Sequence, residues 1–317
     1  MEKILIISEN RSDNLGDIAI NLAIKKILTK SFILESCHFS SFLKKHKKKI
    51  NPKVIPIAKK IILEFLKAFN LIKFFARIRW HIFGEKKKYL SFYRKKINAS
   101  DLVLLGGGQL IRNNQGLFCE KLSMISKISD SKPLFLVGIG VDNKMNFINW
   151  QIVKNTILKS KYIIFRDKLS SQKVLSKFPV ATKSSILPDF AFYLSNPYLN
   201  NYTYKRKYHL GINVMNFFSM LNENKVKFKY FKKKQIYNLL IYLVSDYFNK
   251  GKSVILFTTG AVQDLNMLKE FRKEYFLKTN IKIPYCHPYD LDELFQLLSK
   301  VRNVFAMRMH AGILSYI

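Results

Sequence analysis

The N-terminal sequence KILIIS, residues 3–8, is a short apolar run bounded by polar residues, and Ile18–Leu28 repeats its apolar positions at helical spacing. This reads as a buried strand, a loop and an amphipathic helix. Further strand candidates follow at Leu102–Leu105, Leu134–Val137 and Tyr162–Phe165, with helical patterns at Leu117–Ile128 and Asn149–Leu158 between them. A polar stretch rich in Tyr and Asn, Asn196–Lys207, then interrupts the rhythm and reads as a linker. The alternation resumes with strand His209–Val214, helix Gln235–Phe248, strand Val254–Thr258 and a helix from Asp264 to Tyr275. A strand near Ile281–Ile283, a helix Leu291–Leu298 and a strand Val304–Met307 complete it, and no internal repeat is present. Strands alternating with helices predict α/β layers around parallel sheets. The expected organisation is one Rossmann-like domain over residues 1–200 and a second over 205–317.

Length agrees with two domains, because 317 residues exceed what one core usually serves. An apolar content of 48% is that of a globular protein. Three scattered cysteines, Cys37, Cys119 and Cys286, form neither a disulfide framework nor a metal-binding spacing, which suggests a reducing compartment. The opening apolar run, four residues long, is too short for the core of a signal peptide, so a cytoplasmic location is expected.

A net charge of +34 invites a nucleic-acid reading. Codon bias is the competing source, since Lys, Asn, Ile and Phe abound together. The charge is also uneven: residues 44–96 hold 18 Lys or Arg against Glu64 and Glu85, a net +16. This block breaks the α/β rhythm and reads as a basic helical insertion over about 40–98. Within it, residues 54–83 are rich in Ile, Leu and Phe but contain no run of the roughly 18–20 apolar residues that span a bilayer. Two readings stay open, a helix on an anionic membrane surface and a helical hairpin packed on the first domain.

Several motifs sit just after predicted strands, where ligands bind in open α/β sheets. Asn14-Leu15-Gly16-Asp17 opens the first helix; Asp17 is either an ordinary cap or an acceptor for a substrate hydroxyl. Gly106-Gly107-Gly108 follows LVLL and is either a tight strand-to-helix turn or a place where a ligand approaches the backbone. Arg166-Asp167, before Ser170, is either an internal pair or part of a pocket. Asp264 begins a helix, which favours capping. Arg308 offers a planar fork for carboxylate or phosphate, and His310 can carry a proton near neutral pH. The chain ends two residues after Ser315, so a helix opened at Ala311 would be too short to bury a face. The second domain is therefore expected to be truncated. No metal-ligand spacing, Walker A, G-x-S-x-G or H-E-x-x-H motif occurs.

Taken in order, these pieces resemble the polysaccharide pyruvyl transferase family. The elements are N-x-G-D (Asn14, Gly16, Asp17), G-G-G (Gly106–Gly108) and R-D-x-x-S (Arg166, Asp167, Ser170). A variant of D-P-A-F follows (Pro188-Asp189-Phe190-Ala191-Phe192), then an acid in the second domain (Asp264) and R-x-H-A (Arg308, His310, Ala311). The resemblance implies two facing Rossmann-like, GT-B-like domains. It implies transfer of the pyruvyl group of phosphoenolpyruvate, as a ketal, onto a sugar of a cell-surface polysaccharide or its precursor, with no other cofactor. Arg308 would clamp the donor, with Arg166 as a further donor contact, and His310 would act as general acid. Asp17 would serve the acceptor hydroxyl, with Asn14, Gly106–Gly108 and Asp264 also lining substrate. The implied partners are phosphoenolpyruvate and a glycan acceptor carried on a lipid or free, with no role for nucleic acid. The block at about 40–98 is not matched by the resemblance, so attachment of residues 44–96 to the inner face of the plasma membrane stays one of the two readings that its charge and composition leave open. The competing readings are a GT-B-like glycosyltransferase using a nucleotide-sugar, and an inactive truncated remnant.

Overall fold

The computed structural model describes residues 1–40, 78–80, 82, 84–113, 117–143, 145–179, 183–195, 206–216 and 233–317. Most of the expected linker Asn196–Lys207, and residues 41–77 of the expected basic insertion, lie outside the described residues. The chain divides into two compact units. The first comprises Met1–Arg11 with Ile20–Phe190, and the second Ser12–Ala19 with Ala191–Ile317. The loop after the first strand, with the first turn of the following helix, therefore groups with the second unit.

The first unit is built on strands β1 (Lys3–Ser8), β2 (Ile33–His38), β3 (Leu102–Ile111), β4 (Leu134–Val141), β5 (Tyr162–Phe165) and β6 (Ser184–Ile186), in the order β2-β1-β3-β4-β5-β6. Every pairing is parallel, with Ile4 opposite Leu34 on one side and Leu102 on the other. Ile4–Ile7 are all buried, as expected of a strand covered on both faces by helices. Helices α1 (Leu15–Leu28), α2 (Glu85–Asn98), α3 (Phe118–Ile128), α4 (Phe147–Lys159) and α5 (Lys168–Leu175) surround this sheet. The described part of the basic block, α2, sends Tyr89, Tyr93 and Ile97 into the core beside Phe39 and Val103.

The second unit carries β7 (Tyr208–Asn213), β8 (Val254–Phe257), β9 (Tyr285–Cys286) and β10 (Val301–Ala306) in the order β10-β7-β8-β9, again all parallel. Its helices are α6 (Lys233–Asn249), α7 (Val262–Thr279), α8 (Leu291–Ser299) and α9 (Met309–Tyr316). The core of this unit gathers Ile212, Leu240, Leu256, Leu268 and Phe271.

Three sequence expectations change. Gly106–Gly108 is not a strand-to-helix turn: β3 runs through it, because Gly106 and Gly108 still pair with Val137 and Ile139 before the register shifts. The expected strand at Ile281–Ile283 is displaced to β9; Ile283 fills the core, but the ladder forms where Tyr285 meets Leu256. The closing helix starts at Met309 rather than Ala311 and does bury a face, made of His310, Ala311, Ile313 and Leu314. Small residues allow this, since a Cβ on Gly312 would stand 3.6 Å from that of Ala306.

Candidate functional site

Strand order locates a binding crevice in each sheet. In the second, the chain runs from β7 outward to β9 and then returns to the far side of β7 as β10. The direction of winding reverses between β7 and β10, and open α/β sheets bind ligands at the carboxyl ends of strands at such a point. Arg308 and His310 follow β10 there, and Asn213 ends β7. Asn213 is fully buried and its Oδ1 accepts the backbone N–H of Arg308 at 2.9 Å, fixing the chain where it leaves the sheet.

The Arg308 guanidinium is forked onto Asp264, with Nε donating to Oδ2 and Nη2 to Oδ1 at 2.9 Å. Asp264 is fully buried and also accepts the Asn216 backbone N–H at 2.8 Å. The expected capping role of Asp264 gives way here: α7 has Ala261 as its N-cap with no side-chain bond, and the carboxylate turns to Arg308 instead. A buried carboxylate requires such a partner, because its desolvation is otherwise uncompensated. The pairing orients the guanidinium and leaves Nη1 and the second Nη2 hydrogen for a further anion.

The N-x-G-D loop belongs to this same unit. Leu15 donates its backbone N–H to the Thr259 carbonyl at 2.9 Å, and Thr259 Oγ1 reaches Asn14 Oδ1 at 3.5 Å. Asn14 Oδ1 also accepts the Gly16 N–H at 3.3 Å, which fixes the turn into α1. A Cβ on Gly16 would overlap Cγ and Nδ1 of the His310 ring. The imidazole, on the first turn of α9 and 8% exposed, thus lies directly against the Gly16 backbone. Asp17 stands half-buried in the first turn of α1, its N–H donating to the Asn14 carbonyl at 3.2 Å. Asn14, Gly16, Asp17, Asp264, Arg308 and His310 are therefore all in the second unit, and direct contacts join Gly16 to His310 and Asp264 to Arg308.

In the first unit the reversal falls between β1 and β3, where Ser8 and Gly106–Gly108 stand. Gly107 and Gly108 have φ of 83° and 93°, a region that glycine enters without strain. A side chain on Gly107 would press on Ile20, and Asn21 Nδ2 donates to Ser8 Oγ at 2.7 Å beside it. Arg166, at the end of β5, lies against Gly140, where a Cβ would come within 2.5 Å of Nε. Its guanidinium approaches Asp167 at 3.6 Å and the buried Asp189 at 3.9 Å. Asp167 caps α5, accepting the Ser170 N–H at 2.7 Å and the Ser170 hydroxyl at 2.9 Å. Within R-D-x-x-S, then, Asp167 and Ser170 hold the helix start, and Arg166 is the member directed toward Asp189.

Gly106–Gly108 and Arg166 are thus in a different unit from the other expected site residues. Sequence reasoning missed Asn213, Thr259 and Gly140. The signals were present as a polar residue ending β7, a polar residue two positions beyond β8 and the Gly-Ile-Gly within β4, but their partners lie far away along the chain. Among the described residues, no group of three or more His, Cys, Asp or Glu could hold a metal ion.

A model of the polysaccharide pyruvyl transferase family matches residues 14–317. The comparison with curated proteins found no match. Among solved structures, the UDP-GlcNAc 2-epimerase of Neisseria meningitidis bound to UDP-GlcNAc is similar at 11% identity and TM-score 0.52, covering 97% of this chain and 78% of that one. The UDP-GlcNAc 2-epimerase of Methanocaldococcus jannaschii is similar at 14% identity and TM-score 0.51, covering 98% and 81%. A glycosylation-associated protein complex from Streptococcus agalactiae matches at 14% identity and TM-score 0.45 over 72% of this chain, which spans 43% of that one. At these identities the epimerases show the fold alone: parallel-sheet α/β units of the GT-B-like class.

Proposed function

The chain belongs to the polysaccharide pyruvyl transferase family, and on that basis we propose that it transfers a pyruvyl group from phosphoenolpyruvate to a sugar of a cell-surface polysaccharide or its precursor. The product is a ketal on two hydroxyls. Two C–O bonds form at C2 of the donor, the C2–O bond to phosphate breaks, and one C–H bond forms at C3. One hydroxyl proton is balanced by the new methyl group, and the other leaves with phosphate.

The observation that carries this reading is the constellation in the second unit. Phosphoenolpyruvate is a small polyanion, and Arg308, oriented by Asp264, presents its remaining N–H groups for charge-assisted bonds to carboxylate or phosphate. His310, held against Gly16, is the general acid for C3 or for the departing phosphate. Asp17 accepts the proton of the acceptor hydroxyl, and Asn14 keeps the loop that carries it in register. Asp264 supports Arg308 from beneath. In the first unit, Arg166 is assigned to the donor, and Gly106–Gly108 to close approach of a ligand to the backbone. No cofactor beyond the donor is required. The reading puts catalysis in the cytoplasm, at the inner face of the plasma membrane when the acceptor is carried on a lipid.

The test is acceptor-dependent release of inorganic phosphate from phosphoenolpyruvate, with polysaccharide precursors extracted from the source cells as acceptor. Release in the wild type and its loss in Arg308→Lys support the reading. Consumption of a nucleotide-sugar with phosphoenolpyruvate untouched replaces it with glycosyl transfer.

A further inference from the structure

Helix α2 carries a charge distribution that the transfer reaction does not use. Its sequence, EKKKYLSFYRKKIN, has Lys86, Lys87, Lys88, Arg94, Lys95 and Lys96 against the single acid Glu85. The rotation of the helix is fixed by its buried side. Tyr89 and Tyr93 pack in the core, and their hydroxyls donate to the Phe39 and His38 carbonyls. Lys87, Lys88, Arg94 and Lys95 are consequently exposed together on the opposite side. Lys87 and Arg94, like Lys88 and Lys95, are two turns apart and so share one side of the helix.

The nearby acids are already engaged: Glu85 pairs with Arg79 at 2.8 Å, and Glu35 holds both Lys96 and Lys3. Among the described residues none of the four exposed cations forms an ion pair. Codon bias does not produce this pattern, because it enriches lysine everywhere. On α7, by contrast, Lys269, Arg272, Lys273 and Lys278 are set against Asp264, Glu270 and Glu274, and Lys278 pairs with Glu274 at 3.1 Å. A shallow groove of about 480 Å³ runs along the basic side of α2, lined by Lys87, Leu90, Ser91, Arg94, Lys95 and Asn98.

We infer that this face of α2 docks the protein on an anionic lipid bilayer. The cations extend along roughly 12 Å of helix at 1.5 Å per residue, a row suited to a sheet of headgroups rather than to one small anion. Their long stems reach a surface while the charged ends stay in water. The half-buried Leu90 adds an aliphatic contact between them. The inference stands on charge placement and does not depend on the proposed reaction, although a lipid-carried acceptor would be met at the same surface.

The test is flotation of the full chain with vesicles of phosphatidylcholine alone and of phosphatidylcholine with one third phosphatidylglycerol. The wild type floats with the anionic vesicles only, and the attachment weakens as salt shortens the range of the field. The triple variant Lys87→Gln, Arg94→Gln, Lys95→Gln retains the wild-type melting temperature and partitions about a hundredfold less, at about 1 kcal/mol per cation. Removing as many cations from α7, by Lys269→Gln, Lys273→Gln and Lys278→Gln, leaves flotation unchanged. Equal flotation with both vesicles, or equal loss in the two triple variants, overturns the assignment. So does α2-dependent binding to a short DNA duplex with no attachment to vesicles, which would make the face a nucleic-acid surface.

Discussion

Gly16 and His310, at opposite ends of the chain, are in direct apposition: the imidazole occupies the space where a Gly16 side chain would be. The glycine of N-x-G-D is thus required by the histidine of R-x-H-A, through space rather than through backbone conformation. Two short motifs that look independent in sequence form one packing unit. The atoms overlapped lie at the root of the ring, so no rotation of a flexible tip relieves the contact.

Gly16→Ala should therefore destabilise the protein by about 1–3 kcal/mol, the usual cost of overpacking a close contact, and should abolish activity. His310→Ala removes the obstructing ring. The double variant should recover stability but not activity, giving a coupling that a double-mutant cycle from thermal or urea unfolding measures directly. Additive losses would show that the ring and the glycine do not meet.

Arg308 and Asp264 form a second obligate pair. Arg308→Ala should cost about 3–5 kcal/mol, because it leaves a fully buried carboxylate without its partner. Arg308→Lys keeps the charge but cannot reproduce the fork, and should lose most activity with a smaller loss of stability. Asp264→Asn should impair activity as well, by releasing the guanidinium from its orientation. Urea unfolding and initial rates of phosphate release distinguish these outcomes.

The alternation of apolar runs made the parallel α/β organisation legible, because strands buried on both faces read as continuous hydrophobic segments. R-x-H-A was legible because it follows the apolar run Val304–Met307, although β10 is an edge strand in which only Val301 is buried rather than one covered on both faces. What sequence did not show depended on distant partners. Asp264 resembles a cap until Arg308, a whole helix and two strands later, is brought against it. Gly106–Gly108 resembles a turn because three glycines usually break a strand, and only pairing with β4 carries the ladder through them. The two-residue β9 is defined almost wholly by its neighbour β8, so its own sequence could not locate it.

Arg166 rests on Gly140, so Gly140→Ala would push the guanidinium away from Asp189. The far end of a flexible side chain can yield, and the loss of stability should stay near 1 kcal/mol or below. If Arg166 contacts the donor, KM for phosphoenolpyruvate should rise more than kcat falls. An unchanged KM would make Arg166 a structural brace only.

Lys121 gives a pH signature independent of catalysis. Its ammonium donates to the Ser40 carbonyl at 2.8 Å, and burial pushes its pKa down to about 8 from 10.5. Between these values the unfolded chain binds more protons at this site than the folded one, so the lysine's contribution to stability rises with pH. Cys37 works in the opposite direction, since burial raises its thiol to about 11 from 9.0. A comparison with Lys121→Met cancels that effect. The wild type should gain stability relative to the variant as pH rises from about 8 to 10.5, and a constant difference would mean that the amine is not desolvated.

The most direct measurement follows phosphoenolpyruvate labelled with carbon-13 at C2, mixed with enzyme and precursor glycans from the source cells, by NMR. In the wild type the enol carbon should disappear as a ketal carbon bonded to two sugar oxygens appears, with one phosphate released per ketal. His310→Gln should retain donor binding and lose this conversion. Intact phosphoenolpyruvate in the wild type, with nucleotide released from an added nucleotide-sugar onto the same glycans, would contradict pyruvyl transfer.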